Sequence, residues 1–172
     1  MLHDLQALTV DGERLWQSLM DMAKIGATPK GGVRRIALTL EDKAGRDQFV
    51  SWCKALGLTV TVDRIGNIFA RREGSDPALP PVVSGSHLDT QPSGGRFDGC
   101  YGVMAALEVC RTLNDHGITT RHPIEIAVWT NEEGTRFTPV MGGSGVFAGK
   151  FSVEYAVAAL LLDQAMPLPA DR

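Results

Sequence analysis

The sequence predicts an α/β fold, and three observations carry that prediction. A short apolar run at 81–84 and a longer one, Ile124–Thr130, have the composition of strands, the second continuous enough for an inner strand. Between them a mostly apolar helical run extends from Val103 to Leu113 and stops at Gly117. Strand, helix, strand in that order makes a right-handed βαβ unit, so the two strands should lie parallel.

The elements before this unit follow in order. Asp11 precedes Leu15, Trp16, Leu19, Met22 and Ala23 at helical spacing and Gly26 closes the segment, which predicts an amphipathic helix over 12–25 with this stripe in the core. Residues 28–35, Thr-Pro-Lys-Gly-Gly-Val-Arg-Arg, have the Gly and Pro content of a loop. A glycine pair beside two arginines can cradle an anion or form a solvated connection, and the sequence leaves both open. Thr39 with Asp42 three residues on is a capping pattern, and Phe49, Val50, Trp52, Cys53 and Leu56 then keep helical spacing up to Gly57. Residues 58–63 alternate with period two, Gly66-Asn67 turns the chain, and 68–72 return as the partner strand of a hairpin. Glu73 to Pro81, with its three prolines, is a surface loop.

Composition narrows the function classes. The chain has 172 residues, enough for one domain with a real core, and is 44% hydrophobic and 22% charged, as in ordinary soluble proteins. A net charge of -3 without a basic block argues against nucleic acid or an anionic membrane as partner. Cys53, Cys100 and Cys110 lack CxxC spacing, which speaks against a disulfide framework or thiolate zinc site and for reduced thiols in a cytoplasmic protein. The N-terminus does not resemble a secretory signal, and the apolar run Ala156–Leu162 is far too short to cross a bilayer.

The chemistry concentrates at three turns: Gly85-Ser86-His87-Leu88-Asp89-Thr90, Gly94-Gly95-Arg96-Phe97-Asp98-Gly99 and Asn131-Glu132-Glu133-Gly134. Residues that follow parallel strands share one edge of the sheet, where open α/β folds bind their ligands. His87 and Asp89 follow the first strand, Glu132 and Glu133 the second, and Asp98 precedes the connecting helix at the same edge. One imidazole and two carboxylates, from His87, Asp98 and Glu133, suit Zn²⁺ or another divalent ion. Asp89 can accept the second ring N–H of His87 and fix its tautomer. Of the paired glutamates, Glu133 can ligate while Glu132 takes a proton. Each residue also has a structural reading: His87 in a strand-end turn, Asp98 as a helix cap, Glu132-Glu133 as surface charge. His3, His116 and His122 read as surface positions, and Cys100 as a small buried side chain, with a reactive thiol as the alternative.

The run from Gly85 to Gly99, together with Asn131–Phe137, resembles the amidase, hydantoinase and carbamoylase branch of the M20 metallopeptidase family. That branch includes N-carbamoyl-L-amino-acid hydrolases, β-ureidopropionases and allantoate amidohydrolases. The resemblance spans roughly residues 10–158, including Gly31–Arg35 and Asp63–Phe69. It implies a three-layer, zinc-peptidase-like catalytic domain with a largely parallel central sheet. It further implies a site for two divalent ions, Zn²⁺ or Mn²⁺, Co²⁺ or Ni²⁺, with Asp98 bridging, His87 on one ion, Glu133 on the other and Glu132 as general base. Gln91 and Arg136 lie in branch-specific stretches and are candidates to line the substrate pocket, with loop and helix-start hydrogen bonding as the alternative. The implied substrate is a small ureido or amide compound whose C–N bond is cleaved with release of ammonia and CO₂. An aminoacylase or dipeptidase of the wider family is the alternative, disfavoured by the Gln91-Pro92 and Arg136-Phe137 context. Relatives are much longer, complete their site with two further histidines and form homodimers through an inserted lid domain. This chain has no histidine after His122. The resemblance thus implies the N-terminal part of a catalytic domain, with an incomplete ligand set, a divergent tail over 159–172 and no lid or dimerisation domain. A truncated, inactive remnant is the other reading.

Overall fold

A computed structural model describes residues 8–149; His3, the run Ala156–Leu162 and the tail 159–172 lie outside the described residues. Helix α1 (Gly12–Lys24) begins at Asp11, whose carboxylate accepts the Arg14 N–H at 3.0 Å. Gly26, at φ +74°, turns the chain away from its end. Leu19 and Met22 enter the core, but Trp16 does not: it is 52% exposed and lies 5.7 Å from the Phe97 ring, so the expected stripe is narrower than its sequence spacing. Helix α2 (Leu40–Ala55) is capped by Thr39, which accepts the Asp42 N–H, while Asp42 reaches back to the Leu38 N–H at 2.8 Å. Burial pushes the Asp42 carboxyl above its ordinary range.

Strands β1 (Thr59–Val62) and β2 (Ile68–Arg72) form the expected hairpin. Strand β3 (Val82–His87), helix α3 (Cys100–Asp115) and strand β4 (Ile124–Trp129) form the strand–helix–strand unit, and α4 (Gly142–Gly149) follows. The strand order is β1-β2-β4-β3, so β4 is an inner strand. Only β3 and β4 pair in parallel; β1/β2 and β2/β4 are antiparallel. Among the described residues the largely parallel sheet is therefore realised at one pairing. The reason is local: the five residues joining β1 to β2 suffice for a hairpin, and a parallel return needs a crossover like α3.

Side-chain alternation sorts the two faces. Ile68, Ala70, Ile126 and Val128 point to the same side and pack with Leu19, Met22, Phe49, Val103, Met104 and Leu107 from α1, α2 and α3. Phe69 and Trp129 point to the other side, where Phe147 of α4 lies 5.6 Å and 5.2 Å from their rings. The result is helices, sheet and helix in three layers. Within the helical layer, Glu108 is fully buried and is met by Arg14, whose Nη2 lies 2.7 Å from Oε1.

The 28–35 loop is the main departure from expectation. Arg35 is fully buried, and its guanidinium donates to the carbonyls of Leu88 (3.0 Å), Met22 (3.1 Å) and Ile25 (2.9 Å), with Nη2 2.9 Å from Cys100 Sγ. Val33 exchanges both backbone hydrogen bonds with Gly94, and a Cβ on Gly32 would fall 2.7 Å from the Gly94 oxygen. Gly32, Val33 and Arg35 thus hold neighbouring segments of the same chain, while Gly31 and Arg34 stay exposed to solvent.

These burials have measurable consequences for stability. Arg35→Met removes the donor from the Leu88 and Ile25 carbonyls, while the Met22 carbonyl keeps the Ile25 N–H, and should cost about 3 kcal/mol in urea unfolding, since each unsatisfied buried group costs about 1–3 kcal/mol. Burial also pushes the Cys53 and Cys110 thiols up from 9.0, to about 12 and about 11. As pH rises past 9 the unfolded chain loses these protons first, so the stability that the buried neutral thiols retain at lower pH is lost toward pH 11–12. The slope should be about 1.4 kcal/mol per pH unit for each thiol, and a Cys53→Ala, Cys110→Ala variant should flatten it.

Candidate active site

Because β3 and β4 run parallel with His87 opposite Trp129, the residues that follow them emerge side by side at one edge. His87 ends β3 as a buried residue. Its Nδ1 lies 2.8 Å from the Asp89 backbone carbonyl, and the Asp89 carboxylate is farther away, at 3.8 Å. A carbonyl only accepts, so in the neutral ring Nδ1 carries the proton and Nε2 presents a lone pair. The tautomer is fixed as the sequence suggests, but by the main chain of Asp89.

The Asp89 carboxylate has another task. It is buried, and its two oxygens accept the backbone N–H groups of Glu132 and Glu133, each at 3.2 Å. One side chain after β3 therefore orients the paired glutamates after β4. Asn131, at φ +54°, starts that turn, and its amide Nδ2 donates to the carbonyls of Phe137 and Pro139. The end of β4 is held from below by Asn67, fully buried, which accepts the Thr130 N–H at 3.0 Å and donates to Asp63 and Gly143. Gly143 must be glycine there, since a Cβ would overlap the Asn67 amide oxygen.

Around His87 Nε2 the nearest carboxylate oxygens are Glu132 Oε2 at 3.4 Å and Asp98 Oδ1 at 3.9 Å. Asp98 stands mostly exposed in the turn before α3. Gly99, at φ +66°, lets that turn approach the imidazole: a Cβ would come 2.6 Å from His87 Nδ1. A lone pair and two carboxylates facing one another form a donor set matched to a divalent cation. Glu133 lies beside this group, with Oε2 accepting from Gln91 Nε2 at 2.7 Å. Among the described residues, no three His, Cys, Asp or Glu side chains close into a complete metal-binding group. The chemistry of the donors fits a cation, and further ligands are needed to close its shell.

The two candidates for substrate contact both have protein partners. Gln91 bonds Glu133 through its NH₂ group and accepts from Thr135 Oγ1 at 3.0 Å. Arg136 donates to the Leu38 carbonyl at 2.9 Å and lies over the Phe137 ring at 5.1 Å. Of the expected surface histidines, His116 is exposed and His122 half-buried, with Nδ1 2.8 Å from the Pro80 carbonyl. Cys100 is buried against Arg35 and its thiol is pushed up by burial, which makes it a packed side chain.

A cavity of about 300 Å³ borders the site, lined by Asn131, Phe137, Pro139, Val146, Leu38 and Ile65 among others. A larger one, about 550 Å³, lies between α2 and the hairpin and touches none of the site residues. Sequence reasoning missed Thr90, Asn67 and Thr135. Thr90 accepts the Arg35 N–H at 2.8 Å and donates to the Gln91 carbonyl at 2.9 Å, tying the arginine loop to the site turn. Its place inside the His87–Thr90 motif was the available signal; Asn67 gave only that of a hairpin turn.

Comparison with known proteins gives concordant results. A family model described as peptidase family M20/M25/M40 matches residues 83–170. An N-carbamoyl-L-amino-acid amidohydrolase of Rhizobium meliloti is 56% identical over 87% of this chain, and a ureidoglycolate hydrolase of Arabidopsis thaliana is 33% identical over 91% of it. A crystal structure of a hydantoinase/carbamoylase family amidase from Burkholderia ambifaria superposes with a TM-score of 0.82 and 63% identity over 88% of this chain and 37% of its own. The chain spans 36% of the Rhizobium protein and 33% of the Arabidopsis protein.

Asp89→Asn tests the cross-turn clamp. An amide keeps one acceptor but turns a donor toward the other N–H, so unfolding stability should fall by about 1–3 kcal/mol, read by urea titration.

Proposed function

Since the chain belongs to peptidase family M20/M25/M40, we propose that it carries the base and the first ligands of a metal-dependent amidohydrolase that cleaves the ureido C–N bond of an N-carbamoyl amino acid or related ureido acid. The observation that carries this reading is the facing of His87 Nε2, Glu132 and Asp98 at the edge where Asp89 orients both glutamates. Members of the family are generally metal-dependent. Two divalent ions are proposed, with His87 and Asp98 holding one, and Asp98 and Glu133 the other. Ions so placed would polarise the scissile carbonyl and acidify a water.

The remaining steps fall to the chain's own side chains. Glu132 is partly exposed, and its carboxylate can take a proton from the attacking water and return it to the leaving nitrogen. His87, with Nδ1 engaged by a carbonyl, keeps Nε2 as a pure electron-pair donor. Asp89 acts through the main chain, holding Glu132 and Glu133 in one orientation. Addition of water to a carbamoyl group then yields the amino acid, ammonia and CO₂. The chain is proposed to be the N-terminal part of the catalytic domain, and the isolated chain to turn over little, because its described residues close no complete metal-binding group.

A chimaera separates these points. Residues 8–149 replace the matching segment of the Rhizobium meliloti relative, and hydrolysis of N-carbamoyl-L-amino acids is measured with Mn²⁺ or Zn²⁺. The chimaera should be active, and Glu132→Gln within it should lower kcat about 10²–10⁴-fold while metal content is unchanged. An inactive chimaera that still binds metal, or one that cleaves only N-acyl amino acids or dipeptides, would refute the ureido reading.

A further inference from the structure

Gln91 stands at the site without an assigned task, and its contacts define one. Its Nε2 donates to Glu133 Oε2 at 2.7 Å, while its Oε1 accepts from Thr135 Oγ1 at 3.0 Å. The two contacts fix the amide's orientation. A carboxylate only accepts, so the NH₂ end must face Glu133, and the hydroxyl satisfies the carbonyl end by donating. The backbone on both sides is held as well. The Gln91 carbonyl accepts from Thr90, whose own backbone N–H is tied to the Arg35 carbonyl, and the Glu133 N–H is held by Asp89.

From this arrangement we infer that Gln91, locked by Thr135, is a positioning residue that fixes the Glu133 carboxylate and leaves its Oε1 as the oxygen offered to a divalent ion. The inference rests on the metal-site reading above and deepens it. Glu133 is only half-buried, and a carboxylate there would otherwise sample several rotamers or chelate through both oxygens. Hydrogen bonds to a ligating carboxylate restrict it to one geometry, and their loss typically weakens metal binding about 10–100-fold. Thr135 sits two residues past Glu133, on the far side of Gly134 at φ +61°, so the turn that carries the ligand also carries the group that locks its partner.

Co²⁺ binding to the metal-free chimaera described above provides the test, followed by calorimetry and by the visible d–d absorption of the bound ion. Gln91→Leu should weaken Co²⁺ binding about 10–100-fold and alter the absorption envelope, with the metal-free thermal midpoint unchanged. Thr135→Val should give a smaller loss with the same spectral change, and Thr135→Ser should restore wild-type behaviour. Wild-type affinity and spectrum in Gln91→Leu would overturn the inference alone, and a change in KM with Co²⁺ affinity and spectrum unchanged would reassign Gln91 to the substrate. Undiminished Co²⁺ binding in Glu133→Gln would remove Glu133 from the ligand set and overturn the inference by that route. Absence of any Co²⁺ binding by the unsubstituted chimaera, in which the relative supplies the further ligands, would bring down the metal-site reading itself.

Discussion

The parallel, in-register pairing of β3 with β4 is the constraint on which the site depends. Parallel strands end in the same direction, so the turns that follow them reach one edge, and Asp89 meets Glu133 although 44 positions separate them in the chain. Antiparallel pairing would send the two turns to opposite ends. The connection that parallel pairing demands is α3, and α3 supplies a large part of the core and begins at the Asp98-Gly99 turn. Sheet direction, core and site are thereby set by one topological choice.

The main chain of the site is held by side chains that do no chemistry. Arg35 binds the carbonyls at the end of α1 and after β3, Asp89 binds the amides after β4, and Asn67 joins the hairpin turn to Thr130 and to α4. Charged and amide groups are used where three segments must meet without a regular ladder, since each can satisfy several backbone groups at once. The drawback of such an arrangement is sensitivity: each bracket, if removed, leaves several buried polar groups unpaired.

Much of this was legible in the sequence. Asp11, Thr39 and Gly26 marked helix ends that the structure keeps, and period-two alternation located the hairpin. The motifs at His87 and Glu132 placed the site at the strand ends because glycine, apolar runs and acidic residues all act locally. Arg35 was not legible, since an arginine beside two glycines has the composition of a solvated loop and full burial of arginine is rare. Trp16 misled for the opposite reason: helical periodicity assigns a face, and only the neighbouring elements decide how far that face is covered. The engagement of Gln91 with Thr135 and Glu133 depends on two turns meeting, which no local pattern encodes.

Among the described residues, strand β3 also bounds the sheet, with β4 on one side only, and Val82 and Val83 on it are 59% and 44% exposed. A strand in that position carries backbone N–H and C=O groups whose partners must come from water or from another strand. Its sequence offers no proline or charged gatekeeper between Val82 and His87. The strand that delivers the site's histidine is therefore one of the two edges of the described sheet, β1 being the other, and solubility and site geometry are constraints on the same six residues.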